Sequence, residues 1–262
     1  MFRKLILTFF LVAFTALNVN AASDGELIMK KNQPSEINDC FEPLNRATFG
    51  LNQSLDKLIF KPVAKTYRVL PSSVRNGTSN ALDNLSTLIT IPNNILQREF
   101  TKAGINTGRF VLNTIVGIAG IFDVADMMGF PEYEKEDYGQ TLGTLGFGPG
   151  CYLVLPVIGP STVRDSVGSL ANVVGGDPWY NVTVANNTQN FSDFDYWSTR
   201  ITNGIDFRAK NIDSFENLEK NSIDFYASVR SLYLQDRQMK ISNYKTITET
   251  MDDSDWEEIE TK

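Results

Sequence analysis

The sequence contains no histidine. That removes Ser-His-Asp and Cys-His nucleophilic catalysis and metal sites built on imidazole. Cysteine is scarce: Cys40 and Cys151 are the only two in 262 residues, and they do not form a zinc-spaced pair. There is no P-loop and no dinucleotide fingerprint. The glycine-rich GQTLGTLGFGPG follows a charged turn, where phosphate-cradling loops follow a strand. No cofactor or metal is therefore expected, and an enzyme is disfavoured. An exported hydrolase would need a histidine-free acid–base pair. Asp123 and Asp126 are the nearest candidates, and their three-residue spacing at a helix end reads better as solvated surface.

No basic patch is present, which argues against nucleic-acid binding. The net charge is −7. Seven acidic residues and one lysine fall in Thr246–Lys262, so the acidity sits in a tail and does not coat the body. Beyond the amino terminus, no apolar run approaches the ~20 residues a membrane-spanning helix requires.

What is present begins with Met1–Ala21. Arg3 and Lys4 precede an apolar core from Leu5 to Leu17, and Val19-Asn20-Ala21 offers a small-residue cleavage site. The stretch reads as a secretory signal in preference to a membrane-anchoring first helix, so an exported protein is expected. A lipid-anchor cysteine would directly follow that segment, and the first cysteine, Cys40, lies well beyond it. Residues 22–38 read as a flexible leader, 39–244 as the folded domain and 245–262 as a disordered acidic tail.

Within the domain, Leu44, Ala47, Leu51, Leu55 and Leu58 share one helical face, with Pro43 in a first turn and Pro62 ending or kinking the element. Ser72 is placed to cap a second helix with Val74, Thr78, Ala81, Leu85 and Leu88 on its apolar face, bounded by Pro92. A third stripe, Leu96, Phe100, Ala103, Thr107, Phe110 and Thr114, runs into an apolar segment, Phe110–Phe122. That segment is about 13 residues long, a length that suits a buried core helix or a re-entrant or interfacial membrane segment. A glycine-rich loop from Gly139 to Gly150 leads to a second apolar run, Tyr152–Ile158, whose YLVLPV is the one candidate strand. A short helix follows Ser161 and stops at Gly175–Pro178. The stretch 179–195 reads as an irregular connection. From Asp195 to about Tyr244, Ile201, Ile205, Ile212, Phe215, Leu218, Phe225, Val229 and Leu232 predict one long helix or two in series. The fold class is all-α.

Taken in order, DCFEPLNRATF, KPVAKTYRVLP, VRNGTSNALDNL, GRFVLNTIVGIAGIFDVA and DYGQTLGTLGFGPGCYLVLPVIGPSTVRDSVG resemble the MlaA/VacJ family from roughly Asp39 to Asp177. A weaker similarity continues in DFYASVRSLYLQDR. The resemblance implies a ring- or disc-like helical assembly seated in the inner leaflet of the outer membrane, often beside a trimeric porin. Such proteins remove misplaced phospholipids from the outer leaflet through an amphipathic channel and pass them to a soluble periplasmic lipid carrier. The alternative is a soluble periplasmic helical lipid-binding or scaffold protein whose apolar segments are ordinary core.

With the resemblance in view, Phe110, Val111, Leu112, Ile115, Val116, Ile118, Ile121 and Phe122 are the expected acyl-chain or membrane contacts, followed by Tyr152, Leu153, Val154, Leu155, Val157 and Ile158. Arg109 and Arg164 are candidates to meet phosphate headgroups, or else structural ion pairs with Asp123 or Asp165. Family members usually carry proline where Cys40 and Cys151 stand. As the two cysteines of an exported chain, they are expected to form one disulfide.

Overall fold

The structure, a computed structural model, describes residues 37–172, 176–181 and 192–243. The expected signal, nearly all of the leader, the acidic tail and most of the 179–195 connection lie outside the described residues.

The chain is mostly helical. Helix α1 (Glu42–Leu55) starts with a proline in its first turn and an i,i+4 pair between Arg46 and Glu42 at 2.7 Å. It continues through a π-turn, Asp56–Phe60, into α2 (Lys61–Arg68). Pro62 lies in the first turn of α2, where its missing N–H costs little, so the π-turn rather than a break absorbs it. Helix α3 (Ser72–Leu96) begins after Pro71 without a side-chain cap, and Ser72 is its first helical residue. The helix also runs through Pro92, where a boundary was expected. One lost backbone hydrogen bond is outweighed there by the long packing surface that α3 shares with α4 (Phe100–Ile115).

The helical register of the first apolar run ends at Ile115. The chain then folds back through Ile118, Ala119 and Gly120, at φ 52°, 55° and 89°. Only glycine fits the third of these positions, because a Cβ there would lie 2.5 Å from that of Asn84. Asp123 caps the short α5 (Val124–Met127), and Asp137 caps α6 (Tyr138–Thr144) by accepting from the Gln140 amide at 2.9 Å.

The expected strand is present as β1 (Tyr152–Leu155). It pairs antiparallel with β2 (Gly159–Thr162), with Tyr152 opposite Thr162 and Leu155 opposite Gly159. Two strands alone are marginal, and α1 supports this hairpin. Asn45 donates to the Tyr152 carbonyl at 3.0 Å and accepts from the Val154 amide at 2.9 Å, and Asn52 bonds Leu155 and Val157 in the same way. Cys40 and Cys151 form the expected disulfide, with Cα atoms 5.6 Å apart, joining the start of α1 to the start of β1.

Helix α7 (Val163–Ala171) is capped by Thr162 and crosses α6 very closely: a Cβ on Gly168 would come within 2.3 Å of the Gly139 nitrogen. A short α8 (Pro178–Tyr180) follows. The carboxyl-terminal stretch holds three helices where one or two were expected: α9 (Asp193–Lys210), α10 (Ile212–Asn221) and α11 (Phe225–Ile241). Asn211 and Ser222 leave helical geometry between them.

Candidate functional site

The interior is polar. Among the described residues, 12 hydrophobic residues are buried, four of them alanine, against 21 polar or charged ones. The apolar clusters are small: Tyr152, Val154 and Tyr226 in one, and Ala64, Ala209 and Ile212 in the other. Large aliphatic and aromatic side chains instead stand outside. The stripe along α1 and the π-turn points outward, with Leu44 66% and Leu58 77% exposed, while Asn45 points in. Periodicity identified the stripe correctly, and the side it faces is the reverse of a water-soluble helix.

The α3–α4 contact shows how such an interior holds together. Ser79, Asn84, Ser86, Thr87, Thr90, Asn93 and Asn94 of α3 are buried, as are Asn106, Arg109 and Asn113 of α4. Many of them are paired: Asn106 donates to Asn94 at 2.8 Å, Asn84 to Thr114 at 2.9 Å, and Asn113 to Asp123 at 2.9 Å, while Asn84 Oδ1 and Asn94 Nδ2 have no partner among the described residues. Thr141 reaches across from α6 to Asn93 at 2.6 Å. Buried polar groups are costly unless paired, and paired networks specify one arrangement.

Against this frame the expected contact residues divide. Val111, Ile115, Val116, Ile118, Ile121, Phe122, Val157 and Ile158 are exposed, and Phe110, Leu112, Leu153 and Leu155 are half-buried. Tyr152 and Val154 are placed differently. They are the inward residues of β1, packed against Tyr226, because strand alternation sends every second side chain to the protein face. They present no outer surface.

Arg109 and Arg164 are likewise turned inward, and each makes an ion pair with the aspartate named as the alternative to a headgroup contact. Arg109 donates to Asp123 at 2.6 Å and to the Pro131 carbonyl at 2.8 Å, and is 4% exposed. Arg164 donates to Asp165 at 3.0 Å. Asp165 also accepts from Arg237 at 2.8 Å and Tyr233 at 2.7 Å, and Arg237 bridges on to Asp137 at 2.6 Å. Burial alone would raise the Asp137 carboxyl, but Arg237 and the Gln140 amide hold it down at about 2. These charges lock α6, α7 and α11 together.

One hollow opens beside the polar interior. It has a volume of about 350 Å³ and lies between α3, the segment 122–127 and the end of α9. Asn76, Ser79, Asn80 and Asp83 form one wall, Phe122 and Met127 the other, with Asp123, Asp126 and Lys210 at the edge. The α3 wall was missed from sequence. Its signal was the run of Asn, Ser, Thr and Asp from Asn76 to Asn94, an unusual content for the middle of a 25-residue helix.

Fold and polarity together define a class: a helical protein turned inside out, with hydrogen-bonding residues inward and aliphatic ones outward, an arrangement suited to apolar surroundings. The chain belongs to the MlaA lipoprotein family, whose profile matches residues 37–240. A Rickettsia prowazekii protein of uncharacterised function is 31% identical over 79% of each chain. The intermembrane phospholipid transport system lipoprotein MlaA of Escherichia coli is 34% identical, covering 84% of this chain and 83% of that one. Its Haemophilus influenzae counterpart is 28% identical over 82% of this chain and 84% of that one. A solved structure described as the structural basis for maintenance of bacterial outer membrane lipid asymmetry superposes with a TM-score of 0.67 at 32% identity. It covers 78% of this chain and 98% of that chain.

Proposed function

We propose that this chain is a phospholipid transport protein of the outer membrane. It takes mislocalised phospholipids from the outer leaflet, leads them through an amphipathic passage, and hands them to a soluble periplasmic carrier, so maintaining lipid asymmetry. Its site is the inner leaflet, beside a trimeric porin. The observation that carries this reading is the reversed polarity.

A phospholipid chain brought into water costs ~0.8 kcal/mol per methylene. Its route therefore needs a continuous apolar side and a polar side for the headgroup. An outer surface with Ile115 75% and Ile158 73% exposed supplies the first, and the asparagine- and threonine-lined interior supplies the second. No described helix is long and apolar enough to cross a membrane. Val111, Ile115, Val116, Ile118, Ile121, Phe122, Val157 and Ile158, joined by Leu44, Leu51 and Leu58, then rest on acyl chains within one leaflet. At roughly 1 kcal/mol for each half-exposed aliphatic side chain, these eleven contribute on the order of 10 kcal/mol of seating.

The test is lipid analysis of the purified protein together with surface phospholipid labelling in a deletion strain. Bound phospholipid and excess outer-leaflet phospholipid are expected. In fractionation, Ile115→Asp/Ile158→Asp should fold yet leave the membrane fraction. A lipid-free wild-type chain that is fully soluble without detergent would instead establish the periplasmic scaffold alternative.

A further inference from the structure

We propose that the segment 131–137 is a pH-sensitive strap over the polar interior of α3 and α4, with Glu136 as its latch. The strap is closed while that carboxyl is neutral and loosens when it ionises. Such a device operates whether or not the chain carries lipid, and so stands apart from the transport reading.

The segment, PEYEKED, joins α5 to α6 without regular secondary structure. Among the described residues, 131–136 take part in no backbone–backbone hydrogen bond, so side chains fasten the segment. Arg109 donates to the Pro131 carbonyl at 2.8 Å, Thr90 pairs with the Tyr133 hydroxyl at 2.8 Å, and Lys102 meets Glu134 at 2.7 Å. Thr90 also accepts from the Glu136 amide at 3.2 Å, and Arg237 holds Asp137 at 2.6 Å. Thr90 and Gln97, the α3 residues to which the segment is bonded, are both buried.

Glu136 differs from the other acids of the segment. Glu132 and Glu134 are exposed, and Glu134 and Asp137 each have a cation. Glu136 is 4% exposed, and among the described residues the one donor to its carboxyl is the neutral amide of Gln97, at 2.9 Å. A buried carboxylate without a cation is costly, and the neutral acid is far less so. The charged groups around it are engaged elsewhere. Lys102 of α4 is bonded to Glu134 and to Asn243, and Asn243 also donates to Glu99 at 3.4 Å. Arg237 of α11 is held by Asp137 and Asp165. From α3 come the neutral Gln97 and Thr90, and from α6 the neutral Thr141, which accepts from the same Gln97 amide. Burial accordingly raises the Glu136 carboxyl above its ordinary 4.5; Gln97 and Lys102 oppose this, while Asp137 and Glu134 reinforce it. The closed strap therefore favours the protonated acid. Closure is strongest below the ordinary value of 4.5 and weakens as pH rises above it.

The test is hydrogen–deuterium exchange of the purified full chain in mild detergent, from pH 4.5 to pH 8, read by mass spectrometry on peptides covering 131–137 and on α7 as a reference. Corrected for the intrinsic exchange rate at each pH, protection of 131–137 should fall by roughly fivefold or more across that range, the change that a poorly compensated buried group supplies. Protection of α7 should stay level. Glu136→Gln, which keeps the shape of the neutral acid, should hold its low-pH protection throughout. It should melt with wild type at pH 4.5 and roughly 2–4 °C or more above it at pH 8. Glu134→Gln, at an exposed carboxyl of the same segment, should keep the wild-type pH dependence. Wild-type protection that does not change with pH overturns the strap, and that measurement stands even if a variant fails to fold. A Glu136→Gln chain that loosens with pH as wild type does, or a Glu134→Gln chain that does not, overturns the assignment of the latch. Bound lipid plays no part in the readout, so each of these results leaves the transport reading as it was.

Discussion

Reducing the Cys40–Cys151 disulfide, or replacing it with Cys40→Ala/Cys151→Ala, should lower stability by a calculable amount. The two cysteines are 111 positions apart. Loop-closure entropy for a ring of that size stabilises the folded chain by about 4.8 kcal/mol at 25 °C, an upper figure because residual structure in the unfolded chain reduces it. The folded state itself should change little. The amide of Tyr152 donates to the Asn38 carbonyl at 3.1 Å and Asn45 clamps β1, so the bridged ends stay together without the bond. For a domain of about 200 residues each kcal/mol moves the midpoint by about 2–4 °C, which makes the expected drop about 10–20 °C. The assay is thermal unfolding in mild detergent, followed by circular dichroism with and without reductant. The alanine variant should melt with the reduced wild type and ignore reductant. A shift below about 3 °C, or two free thiols in the unreduced protein, would refute the reasoning.

Three further variants test the packing. Arg237→Met removes the ion-pair partner of Asp137 and leaves Asp165 with Arg164 and Tyr233, and should destabilise by about 3 kcal/mol at neutral pH, with Asp137 screened in part because its side chain is 36% exposed. The pH dependence has a definite sign: Asp137 is held at about 2 from an ordinary 3.8, so its stabilisation is complete above that ordinary value and is lost as pH falls through about 2. Denaturant titrations from pH 7 to pH 2 should therefore show wild type and variant converging in acid, and a constant gap would contradict the pairing. Gly168→Ala places a methyl group 2.3 Å from the Gly139 nitrogen at the α6–α7 crossing and should cost more than 2 kcal/mol in the same titration. Gly204→Ala, with open space around it on α9, should be neutral or slightly stabilising.

Much of the architecture was legible because it is local. Three-and-four spacing marks α1, a helix does start at Ser72 and another just after Ser161, and YLVLPV contains β1. Pro92 misled because a breaker signal assumes that nothing compensates for one lost hydrogen bond, and the α3–α4 packing does. Arg109 and Arg164 were left between two roles for a related reason. Both carboxylate partners could be named from the sequence, but which role each arginine takes depends on the fold: Asp123 lies 14 residues on, past a left-handed turn, and Asp165, adjacent in sequence, is shared with a helix 72 residues later.

By itself the sequence determined the helical class, the first strand, the single pair of cysteines and the family resemblance, since periodicity and composition act within a few residues. Tertiary structure alone decided which side of each amphipathic helix faces inward and how the buried arginines share their carboxylates. A stripe of leucines has the same spacing whether it seeks a core or a bilayer, and only the burial of its asparagine neighbours distinguishes the two.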